Sequence, residues 1–206
     1  MVDTMLTAEQ RDALQEIANL AMGRAAARLA LLFGTFIELS VPRVRVVRSA
    51  DVCRVLRDMT GIDDNVTAVR QGFRSDIKGE ALMLCRSSEV ERLALLFDAY
   101  DDDEWEALTQ AEFVFDVANV LMGACVSAIL DELGRTPVFS PPGLLGADVT
   151  FDDVFPPNML AWRETLLLEV NFGVADDSFR PHFVMLLAED SIHQMSDALD
   201  SLLSSL

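Results

Sequence analysis

Positive charge is in short supply. In 206 residues, 16 Lys and Arg stand against 34 Asp and Glu, a formal charge of −18. Binding along a phosphate backbone or an anionic lipid surface needs clustered Lys and Arg. The 16 here are scattered, which argues against nucleic acid and membrane as partners. A basic or metal-bearing protein surface is the better match. Cysteine is scarce as well. Cys53, Cys85 and Cys125 are odd in number and spaced for neither zinc nor a disulfide framework, and their apolar surroundings read as core. The two histidines, His182 and His193, have no partner pattern for zinc or a nucleophilic triad. Neither common Gly-rich phosphate loop is present, which excludes ATP or NAD binding by those routes. No uninterrupted apolar run reaches the 18 or so residues of a membrane-spanning helix. The start, MVDTMLTAEQRDALQEIANLAMG, has no basic segment before an apolar stretch, so it is no secretory signal. The expected compartment is the cytoplasm.

What is present is an ordinary globular composition, 51% hydrophobic and 24% charged, and an internal repeat. Glu16 to Gly34 reads EIANLAMGRAAARLALLFG, followed by Ser40-Val41-Pro42. Asp116 to Gly134 reads DVANVLMGACVSAILDELG, followed by Ser140-Pro141-Pro142. At an offset of 100 residues, Asn19, Met22, Gly23, Gly34 and Pro42 fall on Asn119, Met122, Gly123, Gly134 and Pro142.

The back ends correspond at a spacing nearer 102: Gly79 to Cys85 before a helical stretch from Ser88 to Tyr100, and Pro181 to Leu187 before another from Asp190 to Leu203. Each half therefore reads helix, three strands, helix. The strand candidates are Ile37–Val47, Val66–Asp76 and Ile77–Cys85, then Thr136–Phe139 with Ala147–Val154, Thr165–Val174 and Arg180–Leu187. Tyr100 to Glu104 marks the seam, and Pro156-Pro157-Asn158 a loop. Two units that cannot close their own cores should share one sheet. The predicted fold is α/β (α+β), one pseudo-two-fold domain over 1–206 built from half-repeats of about 6–100 and 107–205. Two long helices should pack on a mostly antiparallel sheet of about six strands.

The first helix opens with Thr7 as N-cap. At 100° per residue, Leu14, Ile17, Ala18, Ala21, Ala25 and Leu32 form its buried stripe. Asp12, Glu16, Asn19, Gly23, Ala26, Ala27 and Ala30 lie roughly opposite, and Arg24 and Arg28 near the buried side, where they should snorkel or pair with acids. The second helix, capped by Thr109, buries Val114, Val117, Ala118, Leu121 and Cys125, and turns Glu112, Asp116, Asn119 and Gly123 outward. Acids and an Asn on an exposed helical face are most often just a solvated face. Here, though, two unfavourable choices recur at the same place in both copies. Mid-helix Asn competes for backbone bonds, and Gly costs about 1 kcal/mol relative to Ala.

At these residues the chain resembles the CheC family of bacterial chemotaxis proteins, which includes CheX and the FliY-type phosphatases, and CheC above all. The family motif is Asp or Ser, three residues, Glu, two residues, Asn, twenty-two residues, Pro. Asp12, Glu16, Asn19 and Pro42 fit every position, while Glu112, Asp116, Asn119 and Pro142 keep the Asn and the Pro. The resemblance implies a phosphatase acting on the aspartyl phosphate of a CheY-type response regulator. It implies no cofactor of the chain's own, with Mg²⁺ carried by the regulator. By position, Asn19 would orient the attacking water and Glu16 would pair with a Lys of the regulator, with Gly23 and Ala26 leaving room for its backbone. Asn119 and Asp116 would form a second, weaker site, since Asp116 is one methylene shorter than Glu16. Asp12, Gly23, Glu112 and Gly123 complete the two docking faces; Asp12 also suits a helix N-terminus, and Pro42 shapes the strand entry. The alternative is a non-catalytic adaptor for a response regulator or a CheD-type deamidase. FliY-type chains carry a further C-terminal switch domain, and this sequence ends at Leu206 without one, which speaks against a flagellar role.

The remaining candidates have simpler readings. Asp101 to Glu104 reads as solvated linker, Asp152-Asp153 and Asp176-Asp177 as turns, and Trp105, Trp162 and the Phe residues as core or seam.

Overall fold

A computed structural model describes residues 5–90, 110–156, 160, 162–174 and 179–204. In chain order the elements are α1 (Ala8–Phe33), β1 (Ile37–Leu39), β2 (Arg43–Arg48), α2 (Val52–Thr60), β3 (Val66–Arg74), β4 (Lys78–Arg86), α3 (Gln110–Glu132), β5 (Val138–Phe139), β6 (Gly143–Val149), α4 (Phe151–Val154), β7 (Glu164–Val174), β8 (His182–Ala188) and α5 (Glu189–Leu203). Thr7 caps α1 reciprocally with Gln10, satisfying two amides that the helix itself leaves free. The Gln10 amide also donates to Ser196 Oγ and Asp200 Oδ1, each at 2.8 Å, and so ties α1 to α5. Just past α1 and α3, Gly34 and Gly134 take left-handed φ values of 63° and 68°, which favour glycine and turn the chain toward the sheet.

The sheet is antiparallel, with β7, β8, β4 and β3 as its inner strands. Strands β1 and β2 both pair with β7, and β5 and β6 both pair with β3. Each half thus lends its first strand segment to the other half's inner strand. The registers match: Arg43 faces Glu169 on one side, and Gly143 faces Arg70 on the other. The edge breaks match too. Ser40 N–H donates to the Asn171 carbonyl at 3.0 Å while Asn171 N–H donates to Ser40 Oγ at 2.9 Å. Ser140 and Gly72 repeat the exchange at 2.9 and 3.0 Å. A serine hydroxyl stands in for ladder partners where the following prolines interrupt pairing.

One sheet face carries Val69, Phe73, Met83, Cys85, Leu168, Val170, Phe183 and Met185 against α1, α3 and α5. The other carries Leu82, Leu84, Leu167, Val184 and Leu186 against Val52, Val55, Leu56 and Met59 of α2 and Phe151 and Val154 of α4. On this second face Glu169, fully buried, accepts from Arg43 Nε at 2.8 Å, and its other oxygen lies 2.6 Å from His182 Nδ1. A buried carboxylate needs such partners, so His182 has a structural role.

Several expectations are corrected. Helix α2 replaces a predicted strand-to-strand connection, and its spacing of Val52, Val55, Leu56 and Met59 was a helical signal in plain view. The predicted strand Ile37–Val47 is divided at Ser40–Pro42. The predicted Ala147–Val154 strand begins earlier, at Gly143, and ends at Val149; Phe151–Val154 is a helical turn capped by Thr150. Asp152 and Asp153 therefore lie in the first turn of α4, with Asp153 completing its cap. Cys85 and Cys125 are buried, but Cys53 is half-buried beside Asp152. Phe36 is 77% exposed rather than core. Within α3, Val114–Glu132 has a mean hydropathy of 1.7, high enough for a membrane span by composition, and 56% of it is buried against α1 and the sheet. Ser88 to Tyr100 is helical at 88–90 and beyond that, with the seam, Thr109, Pro157-Asn158 and Asp176-Asp177, lies outside the described residues.

Candidate functional site

The buried stripe of α1, with Leu14, Ile17, Ala18, Ala21, Met22, Ala25 and Leu29, orients the helix and fixes what faces outward. Asp12, Glu16, Asn19 and Gly23 are all exposed. Their i, i+4, i+7 spacing puts Asp12, Glu16 and Asn19 on adjacent turns. Neither Glu16 nor Asn19 makes a side-chain hydrogen bond or ion pair with any described residue. A Cβ placed on Gly23 would meet nothing within 4 Å, so the space above that turn is open. The outer face differs from expectation in one respect. Ala26 is 7% exposed and packs inward, so the room for a partner comes from Gly23 and Ala27. Arg24 and Arg28 are exposed, and Arg24 pairs with Glu132 of α3. Leu20 is 55% exposed beside Asn19.

Helix α3 presents the second set. Glu112, Asp116 and Asn119 are exposed, and Gly123 is half-buried with open space where a Cβ would lie. The two asparagines are held differently. Asn119 Oδ1 accepts from Gln71 Nε2 at 2.9 Å, and the same nitrogen donates to the Ser140 carbonyl at 3.0 Å. Gln71, on β3, is 3% exposed. The register that equates Ser40–Asn171 with Ser140–Gly72 equates Gln71 with Val170, a buried apolar side chain in the first half. A polar residue on the helix-facing side of a buried strand was the signal for Gln71.

The arrangement is a pair of convex helical faces with amides and carboxylates on top. Cavities of about 860 and 650 Å³ lie elsewhere, around α2 and α4, and none of the site residues lines them. An exposed convex face of this kind suits contact with a macromolecule rather than a small molecule held in a cleft.

The family model for CheC-like proteins matches residues 9–46, a stretch that runs from α1 into β2 and contains Asp12, Glu16, Asn19, Gly23 and Pro42. Flagellar motor switch phosphatase FliY of Bacillus subtilis is 21% identical over 199 residues, covering 94% of this chain and 51% of that protein. The chain therefore spans about half the length of this curated relative. Among solved structures, Thermotoga maritima FliY superposes with a TM-score of 0.70 at 24% identity, covering 98% of this chain and 99% of that one. The FliM middle domain of H. pylori gives 0.60 at 7% identity (94% and 99% covered). CheX of Desulfovibrio desulfuricans gives 0.51 at 16% identity (82% and 99%). The fold is CheC-like, the stretch from α1 into β2 matches the CheC-like family model, and the likenesses extend to FliY and do not single out CheC.

Proposed function

We propose that this CheC-like chain accelerates hydrolysis of the aspartyl phosphate on a CheY-type response regulator, in the cytoplasm, in chemotaxis or flagellar switching. The observation that carries the reading is the Glu16–Asn19 pair: exposed, unpartnered among the described residues, beside open space at Gly23, and inside the family match. In the reaction, water attacks phosphorus, a new P–O bond forms, the acyl-phosphate P–O bond breaks, and the regulator's Asp leaves as carboxylate. The Mg²⁺ that neutralises phosphoryl charge belongs to the regulator. This chain's part is positioning, the main source of rate in phosphoryl transfer. The Asn19 carbonyl oxygen accepts a hydrogen bond from the incoming water, and Glu16 pairs with a regulator Lys and fixes the approach. A rigid helix, buried along its other side, holds both at constant spacing.

Because the named relatives include flagellar switch proteins, a flagellar role now stands level with a purely chemotactic one. The test is the decay of a CheY-type regulator phosphorylated with acetyl phosphate, with and without this protein. Acceleration that Asn19→Ala strongly lowers while binding persists supports the reading. If the wild-type chain binds the regulator without accelerating decay, the adaptor alternative replaces it.

A further inference from the structure

The two asparagines occupy equivalent positions but present different atoms. The Ser140 backbone carbonyl can only accept, so the Gln71 amide must turn its Nε2 toward it. That same nitrogen faces Asn119, so the Asn119 atom 2.9 Å away must be its oxygen. Gln71 is buried, and an oxygen bonded to it is turned toward the sheet. The NH₂ group, on the other branch of the planar amide, is turned outward. Gln71 Oε1, meanwhile, is buried with no hydrogen-bond partner among the described residues. An orphaned buried acceptor is unfavourable, and Val170 at the equivalent place in the first half avoids it. The Ser140 carbonyl that sets the whole chain of bonds lies at the edge break before Pro141 and Pro142, so the relay is anchored on the sheet itself.

We propose that Gln71 is a positioning residue that locks the Asn119 amide with its NH₂ outward, so that the second site grips phosphoryl oxygens as a donor and leaves water orientation to Asn19. Asn19, with Val170 at the place of Gln71, is free to turn its carbonyl to the water. The kinetic consequence rests on the phosphatase reading; the lock does not.

Two measurements separate them. In ¹⁵N-labelled protein, the Gln71 side-chain NH₂ protons should exchange slowly with solvent, and Gln71→Met should shift the Asn119 NH₂ resonances. Gln71 protons that exchange as fast as an exposed amide would overturn the lock, whatever the enzymology shows. For turnover, Asn19→Ala is compared with Asn19→Ala/Gln71→Met on a CheY-type regulator charged with acetyl phosphate. Freeing Asn119 from one hydrogen bond should raise kcat by about two- to twelvefold and leave KM unchanged, and adding Asn119→Ala should abolish the gain. No rise, or a fall, overturns the proposal while leaving the phosphatase reading intact. No acceleration by the wild-type protein sinks the phosphatase reading, and amide exchange then decides the lock alone. Gln71→Val, copying Val170, serves if Gln71→Met fails to fold.

Discussion

Replacing each asparagine with alanine offers a thermodynamic comparison at chemically identical positions. Both residues lie mid-helix with exposed side chains. Asn is the poorer helix former, so Asn19→Ala, which removes no described contact, should stabilise the protein by about 0.5 kcal/mol. Asn119→Ala gains the same helical increment but loses the bond from Gln71. A net hydrogen bond contributes about 0.5–1.5 kcal/mol. The second substitution should therefore fall between neutral and about 1 kcal/mol destabilising. For a chain of this size, 1 kcal/mol moves Tm by about 2–4 °C. The two variants should then melt about 1–6 °C apart, with Asn19→Ala the higher. Urea unfolding at constant slope measures the same gap without the complications of heating. Equal midpoints would refute the reasoning, because they would mean that Gln71 contributes nothing to Asn119. In a Gln71→Met background the gap should close, since Asn119→Ala then removes no bond from Gln71.

Gly23→Ala should stabilise α1 by up to about 1 kcal/mol, since its Cβ would meet nothing within 4 Å. Gly23→Phe should keep the fold but raise KM for the phosphorylated regulator, and an unchanged KM would remove Gly23 from the docking face. Arg43→Met should destabilise by about 2–4 kcal/mol in urea, because it strips a buried Glu169 of its guanidinium partner; a loss under about 1 kcal/mol would show that His182 alone suffices. Burial, and then the Asp152 carboxylate 3.4 Å from Sγ, raise the Cys53 thiol above its ordinary range. Alkylation by iodoacetamide at pH 8 should thus speed up in Asp152→Asn, while Cys85 and Cys125, buried and also raised, stay unlabelled until the protein unfolds. An equal Cys53 rate in the variant would show that Asp152 has no part in it.

What could be read from the chain alone follows from how local each signal is. The face of α1 bearing Asp12, Glu16 and Asn19 was legible because helical periodicity fixes direction from a few neighbouring residues, and Leu14, Ile17 and Ala18 define the inward side. Ala26 was misplaced because it lies near the boundary of the stripe, where burial depends on what packs there. Arg24 is drawn out by Glu132, an acid 108 positions away on α3. The inner strands β3, β4, β7 and β8 were legible as apolar runs, and helix α2 was overlooked although its own spacing announced it. The partner of Asn119 could not be read. Gln71 is 48 positions away, and which face of β3 it occupies is set by pairing with β4 and with strand segments from the other half. Repetition in the sequence made the two asparagines look alike, and only the exchanged edges reveal glutamine under one and valine at the matching place under the other. Helical faces that match above a sheet that differs beneath them are why two like-placed asparagines have unlike neighbours.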